Sequence, residues 1–571
     1  MGGAATANWL MPKMDMLSLL PSSSFVPFTA WRLTHPNVVW ANEDADQSLD
    51  VLEHAFCGLI EDEPVSAFSA ESREYFAERY GGRGVGLNGG GARCGTTGLV
   101  QIKGIGKTPL VGVKSTEAEH SYGGASLQEA VREALWGEIC HIALPFGAVR
   151  SFGIIETGTH VRNFGVRDRI AMTPRALVLR QPTLRPAHFM RAPGFVPQAS
   201  LGVSDVERTR AAVEVLPALL RNTLRGDSAC SGGFAGITEC LMDLGRRFAW
   251  QQAAAQAKRV IHGALASTNI ALDGRWLDFG TIGMASDYGR AVVSTQPDAW
   301  LQFASLIESL QDLIFHLRKY LPTRSDNIPT ASDVIQEYLR TLAGRLRTEF
   351  AKLTGIPETA LKRLPPAMVE RFGVCVQAII ARGNRYPFDL YERGRPAKSG
   401  RFHLNTLLRI AALTTSPAQT ETALALHMPD ELLRREIVES YWAMRLAYLQ
   451  STPDSGRNKA ARLTLNAIRV NTVIEELCRP ALDDRIEHLA TDGGSIVDFI
   501  ASLVGKAKTF LAEPSDGFVN VDAFLTKVIG TKVSVQVDVG DDAGARAVLS
   551  SLPNHYLAGV ERQLTLLADG G

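Results

Sequence analysis

Residues 262–280 read HGALASTNIALDGRWLDFG, and the fold turns on this stretch. The run 269–272 (NIAL) is short and apolar, Asp273 and Gly274 are the pair favoured in a type I′ turn, and 275–277 (RWL) returns antiparallel. The spacing predicts a small hairpin that brings Asn269 and Asp278 together at its open end. An amide oxygen and a carboxylate on a stiff hairpin are hard ligands that suit Mg²⁺, which keeps most of its waters and draws other ligands from phosphate. A DFG triplet alone is common, so the metal assignment draws its weight from segments upstream.

Residues 81–98 contain nine glycines. With so little side-chain volume this segment is not core, and ordering it costs backbone entropy, so something must come close to its main chain. Phosphate is the usual candidate, because glycine leaves the amide N–H groups unobstructed. Gly84, Gly86, Gly89, Gly90 and Gly91 are therefore candidate phosphate-cradling positions. Residues 99–103 (LVQIK) then read as a short strand, which sets the glycines in a hairpin and Lys103 at a strand end. The following turn, GIGKTP, carries Lys107 as a further phosphate-binding candidate. Ser126 and Glu129 make an S-x-x-E capping box that opens a helix, whose Leu127, Val131, Leu135, Ile139 and Ile142 line one face until Pro145. Glu133 lies near its middle.

The chain has 571 residues, sixty of them basic and sixty acidic, so it is long enough for several domains and has no net charge. That balance gives no reason to expect a nucleic-acid or anionic-membrane partner. No run of eighteen apolar residues and no charged n-region leading into an apolar stretch is present, which points to a cytoplasmic protein. Cys57, Cys94, Cys140, Cys230, Cys240, Cys375 and Cys478 show no Cys-x-x-Cys pair and no zinc spacing with histidine, and read as reduced, mostly core residues.

Elsewhere, apolar spacing predicts helices over 48–62 and 67–80. From residue 297 the pattern is mostly helical. Trp300, Phe303, Ile307, Leu310, Leu313, Ile314 and Leu317 form one stripe, and 331–354, 366–382, 403–413, 430–450, 458–478 and 494–512 follow. Residues 532–539 (KVSVQVDV) alternate like a half-exposed strand, and Arg393, Arg395, Lys398 and Arg401 form a basic loop.

A glycine-rich hairpin, a strand lysine, a helix glutamate, His262 seven residues before Asn269, and then DFG resemble the order of parts in protein kinases. Residues 75–305 are similar in more detail to the SelO (YdiU) family, kinase-fold enzymes that bind ATP in a flipped orientation and transfer AMP to protein hydroxyls. The similarity lies in AERYGGRGVG with GGGAR, in QIKGIGKTP, in REALWGE at 132–138, in RQPTLR at 180–185, in HGALASTN with DFG, and in Gln296, Pro297 and Trp300. A fainter resemblance is to MchC-type proteins of microcin maturation. The resemblance implies an α+β, kinase-like two-lobed core with a largely helical C-terminal extension. Its divisions would be an N-terminal arm and helices (1–75), a small lobe with the glycine loop (76–175), a large-lobe core with the metal site (176–320) and a mainly helical remainder (321–571). Carried over by position, Lys103 and Glu133 form the ion pair, Arg180 and Arg185 clamp phosphates, and Asn269 and Asp278 hold Mg²⁺. Lys103, Glu133, Asn269 and Asp278 are the expected catalytic set, ATP and Mg²⁺ the expected cofactors, and a protein or peptide the expected acceptor.

Departures from that pattern bear on the chemistry. The family's D-G-R-A is Tyr122, Gly123, Gly124 and Ala125 here, its C-terminal cysteine pair is absent, and the two arginines stand closer together. The family's base aspartate, beside the metal asparagine, is Thr268, and the kinase base position two after the histidine is Ala264. A hydroxyl acceptor needs a group to take its proton, and neither residue can. Three readings follow: AMP transfer to a hydroxyl with another acid such as Asp287 assisting, activation of a carboxylate as an acyl-adenylate in peptide maturation, or a nucleotide-binding scaffold without catalysis.

Overall fold

The computed structural model describes residues 16–514 apart from 46–48, 62, 116–120, 164–170, 225–235, 290, 293–298, 322–327, 384–387, 390–403, 426 and 452–455. The expected strand at 532–539, the basic loop from Arg393 to Arg401, and Gln296 with Pro297 lie outside the described residues. The chain is mixed α+β, with an antiparallel eight-stranded sheet in its first third. In spatial order the strands are β2 (Asn37–Ala41), β7 (Ser151–Asn163), β8 (Ala171–Arg180), β6 (Gln101–Lys103), β5 (Cys94–Thr96), β4 (Phe68–Glu78), β1 (Phe25–Leu33) and β3 (Phe56–Cys57).

Two helix expectations are corrected by this sheet. Residues 67–80 form β4, which runs antiparallel to β1 from Phe25 opposite Glu78 to Leu33 opposite Phe68. Tyr75 and Ala77 are buried while Phe76 between them is exposed, the two-residue period of a strand. Of residues 48–62, those described supply the turn Val51–His54 and the short β3, whose Phe56 and Cys57 are fully buried. In both places pairing with a distant strand overrides local helix propensity.

The helix α1 (Leu127–Ala143) packs on β7 and β8. Leu127, Val131, Leu135 and Ile139 are buried as their spacing predicts, each contributing about 1.5–3 kcal/mol of apolar burial. Past the sheet come α2 (Asp205–Leu224) and α3 (Ile237–Ala257), then a ribbon of β9 (Val260–Ile261) and β10 (Gly283–Met284) that brackets residues 262–282. In α4 (Phe303–Tyr320) Leu310, Leu313, Ile314 and Leu317 are buried, as the stripe predicts. The helices α5 (Ala331–Lys352), α6 (Pro366–Gly383), α7 (Leu404–Ala412), α8 (Pro417–Ala425) and α9 (Glu431–Gln450) follow. The segment expected as one helix at 458–478 is α10 (Gly456–Val470), a break at the buried Asn471, and a short turn. Asn471 Nδ2 bonds the Leu353 and Ala467 carbonyls, both at 2.7 Å, and so ties the break to α5. The described chain closes with α11 (Arg479–Asp492) and α12 (Ile496–Phe510), both packed on α1. The six described cysteines are free, and all but Cys478 are buried. Among the described residues no helix is long and apolar enough to cross a membrane.

Candidate functional site

The hairpin forms where the sequence places it. Ile270 pairs with Trp276, Ala271 N donates to Arg275 O at 2.8 Å, and Leu277 N donates to Asn269 O at 3.2 Å. Its turn is not type I′, which needs positive φ at both central residues. Only Gly274 has it, at +95°, while Asp273 does not. Gly274 N donates to Ala271 O at 3.0 Å, giving a three-residue loop with a left-handed glycine at its end. Asp273 instead accepts from Arg275 N at 3.1 Å and Nε at 2.7 Å, so its side chain stiffens the turn. His262 pins the hairpin from below. Its Nε2–H donates to the Leu277 carbonyl at 3.0 Å, Nδ1 accepts from Ala264 N at 3.4 Å, and complete burial lowers its pKa to about 4. It is a neutral structural histidine.

At the hairpin's open end Asp278 takes a left-handed backbone, φ +67°, a conformation that costs a non-glycine residue on the order of 1–2 kcal/mol. Its Oδ1 accepts from Lys103 Nζ at 2.7 Å. The same ammonium donates to Glu133 Oε1 at 2.6 Å and lies 3.0 Å from Glu129 Oε1. Burial works against the charge on Lys103, but Asp278, Glu129 and Glu133 outweigh it and raise its pKa. Burial likewise opposes ionisation of Asp278, and Lys103 with Arg180 overcomes it and holds that carboxyl well below its usual range. Glu133 goes the other way, its pKa raised by burial and by the Asp278 charge.

Glu129 does not complete the capping box. Ser126 Oγ accepts from Glu129 N at 3.1 Å, but the carboxylate turns into the site and takes both terminal nitrogens of Arg93, at 3.0 and 2.8 Å. Despite burial, Arg93 and Lys103 lower its pKa to about 2. Glu129 and Glu133 are four apart on a helix, so they share a face, and that spacing was the available signal. Gln101 is also part of the site and was likewise missed. It stands two residues before Lys103 on β6 and so shares its face. Gln101 Oε1 accepts from Arg180 Nε at 2.7 Å and Arg185 NH2 at 3.3 Å, while its Nε2 donates to Glu78. Arg180 also reaches Glu133 Oε2 at 3.5 Å, and Arg185 NH1 donates to the Thr268 carbonyl at 2.9 Å. Four cations (Lys103, Arg93, Arg180, Arg185) and four carboxylates (Glu78, Glu129, Glu133, Asp278) thus make one buried cluster.

The glycine-rich segment connects β4 to β5, and the strand expected at 99–103 is shorter, with β5 ahead of it. Much of the loop is packed on protein rather than open to a ligand. The amides of Gly81, Gly82, Gly89 and Gly91 donate to Ala187, Arg191, Leu110 and Glu78 carbonyls at 2.9–3.0 Å. Gly90, at φ +131°, lies against the β4 main chain, and Gly89 against the Phe195 ring. Gly84 and Gly86 form the exposed tip, where a Cβ on Gly84 would collide with Thr268 Oγ1. Thr268 and Ser267 hydroxyls both donate to the Arg83 carbonyl, at 3.3 and 3.5 Å, and Arg83 pairs with Glu308 of α4 at 2.9 Å. Lys107 is not brought into the cluster. It pairs with Glu61 at 2.9 Å on the surface. Asp287 is buried too, accepting from Gly289 N at 2.6 Å in the field of Arg259.

The residues fit a metal–phosphate ligand in two respects. Asp278 is the one carboxylate of the cluster with substantial exposure, 32% against 13% for Glu129 and 2% for Glu133. Asn269 Nδ2 donates to Ala264 O at 2.8 Å, which leaves its Oδ1 as the coordinating end. Arg185 is buried with no carboxylate within salt-bridge distance among the described residues, and its Nε has no hydrogen-bond partner there. Among the described residues no group of three or more His, Cys, Asp or Glu is arranged to hold a metal alone, so a metal here would share its ligation with phosphate. No protein-family model matches this chain, and no curated protein matches it.

Proposed function

We propose that the chain is an ATP- and Mg²⁺-dependent adenylyl (AMP) transferase on a kinase-like, two-lobed core of the SelO type, acting on a protein or peptide acceptor. The observation that carries this is Lys103, a buried lysine held at once by Glu133 of a helix and by the aspartate of DFG, at 2.6 and 2.7 Å. Asn269 and Asp278 would hold Mg²⁺, which when bound supplies positive charge to phosphate oxygens. Lys103 would exchange its bond to Asp278 for a phosphate oxygen, with Glu133 keeping the ammonium aimed. Arg180 and Arg185 present planar guanidinium groups suited to phosphate. In AMP transfer the acceptor oxygen bonds the α-phosphorus, the bond to the bridging oxygen breaks, and pyrophosphate leaves.

A hydroxyl acceptor must also lose a proton, and beside Asn269 the Thr268 hydroxyl donates to Arg83 O while the Ala264 side chain has no polar group. That favours a second reading in which the acceptor is a carboxylate, which attacks without deprotonation and gives an acyl-adenylate of the kind used in peptide maturation. Incubation with α-³²P-ATP and Mg²⁺, with and without hydroxylamine, separates the two. Stable label on protein marks a hydroxyl acceptor, and a trapped hydroxamate marks a carboxylate. Nucleotide binding with neither product leaves a scaffold. Asp278→Asn keeps the shape and removes the charge, and is expected to lower metal-dependent turnover by about 10²–10³-fold. Turnover within twofold of wild type would remove the metal assignment. Thr268→Asp places a base beside Asn269 and is expected to raise hydroxyl labelling by about 10²-fold. No gain would sink the view that the missing base limits that reaction.

A further inference from the structure

On the outer side of the cluster, α11 touches both halves of the site. Arg132, the neighbour of Glu133 on α1, donates through NH2 to Asp483 Oδ1, across 351 residues of chain. Arg479 Nε donates to Asp483 Oδ2 at 2.9 Å, and Arg479 NH1 donates to the carbonyl of Gly280 at 2.8 Å. Gly280 is the glycine of DFG, two residues after Asp278. Cys478, which opens α11, bridges in parallel to Met284 of β10, so the helix is anchored where the DFG segment rejoins the ribbon.

Asp278 needs such an anchor. A left-handed aspartate relaxes to an ordinary conformation unless its surroundings over-determine it, and relaxation would carry its carboxylate away from Lys103. The helix α1 has a parallel need, since a small shift along its axis separates Glu129 and Glu133 from the same ammonium. Asp483 receives an arginine from each side: Arg132 fixes the helix, and Arg479 fixes the main chain after Asp278. The two arginines are largely shielded and Asp483 is partly so, and these charge-assisted bonds are therefore screened less than pairs exposed on both sides.

We infer that Arg132, Asp483 and Arg479 are positioning residues for the site: α11 is a brace that holds the DFG turn and the carboxylates of α1 in register around Lys103. The brace itself stands on geometry alone, and only its kinetic consequence rests on the adenylyl-transfer reading.

The deciding experiment is hydrogen–deuterium exchange of the ligand-free full chain, as wild type, Asp483→Asn and Arg479→Met. Both variants are expected to speed exchange about tenfold in peptides spanning 277–284 and 127–136, with the β7–β8 hairpin unchanged. Arg479→Lys restores part of the protection. Acceleration confined to α11, or none, overturns the inference. If one variant fails to fold, as a lost melting transition would show, Arg132→Gln tests the same link from the other end. With a wild type that turns over ATP, Asp483→Asn lowers kcat about 10–100-fold with KM for ATP nearly unchanged, the mark of displaced rather than missing contacts. A wild type without nucleotide turnover would defeat the functional reading, and the exchange result would still decide the brace.

Discussion

The two ends of residues 262–280 are built on opposite principles. Around Asp278, four cations and four carboxylates are joined through hydrogen bonds and ion pairs, and of the carboxylates only Asp278 has substantial exposure. Around Thr268, Ala264 offers a methyl group and Ser267 and Thr268 offer hydroxyls, both turned to the one carbonyl of Arg83. On the proposed reading, the first end holds and orients a polyanion. The second can donate hydrogen bonds but cannot accept a proton at neutral pH. Binding of phosphate and removal of a proton are thus separable properties of one loop, and this chain has residues suited to the first alone.

The sharpest way to break the contrast is to empty the charged end. Lys103→Met removes the cation that, among the described residues, Glu129, Glu133 and Asp278 share, and leaves Asp278 without its bonded cation while Glu129 keeps Arg93 and Glu133 keeps Arg180. Breaking a buried ion pair from one side costs about 3–5 kcal/mol, and the same variant should lose nucleotide binding. Urea denaturation measures the first and calorimetric titration with ATP the second. A loss below about 1 kcal/mol would mean that the cluster adjusts by taking up protons, and the tight wiring described above would be wrong.

Acid comes next and separates the cluster from the pin beneath it. Glu129 titrates near 2 and Asp278 lies well below its ordinary value, so these two carboxylates keep their charges through mild acid, while burial and the Asp278 charge raise the pKa of Glu133. His262 behaves otherwise. Its native pKa of about 4 lies below the unfolded value of 6.5, so its contribution is complete above pH 6.5 and is lost as pH falls from there toward 4. By pH 4.5 that amounts to about 2–3 kcal/mol. His262→Gln should flatten the fall in unfolding free energy between pH 7 and 4.5 by a comparable amount, leaving the shares due to His54, His141, His188 and His316, whose pKa values burial also lowers. An unchanged slope would place the acid sensitivity elsewhere.

What could be read in advance follows the range of the forces involved. The hairpin and the buried stripe of α1 are set by local spacing, and local spacing is visible in a string of letters. Lys103, Glu133 and Asp278, of which the first and last are 175 residues apart, were legible only through the resemblance to the kinase order of parts. The strand β4 is visible in neither way, because AESREYFAE has good helix formers and becomes a strand only through pairing with β1, about forty residues upstream. Glu129 was hidden by a second plausible role as a cap partner, and Gln101 by being uncharged, although β6 puts it on the same face as Lys103. Asp483 and Arg479 lie too far along the chain for any spacing argument to join them to Gly280.

The smallest expected effect tests where the charged end stops. Lys107 follows Lys103 by four residues and sits in a turn that looks made for phosphate, yet β6 ends at Lys103 and the chain turns away at Gly104 and Gly106, both in left-handed backbone. Gly106 packs against Gly58, and the Lys107 side chain runs to the surface, where 42% of it is exposed beside a still more exposed Glu61. Exposed pairs of this kind contribute about 0.2–1 kcal/mol, because water screens the attraction and two flexible side chains must be held. Lys107→Ala should therefore shift the unfolding free energy by less than about 0.5 kcal/mol and leave ATP affinity unchanged, in contrast to Lys103→Met four residues away. A tenfold loss of affinity in Lys107→Ala would show that the turn swings inward when nucleotide is present, and the boundary between the wired cluster and the solvated surface would have to be moved past it.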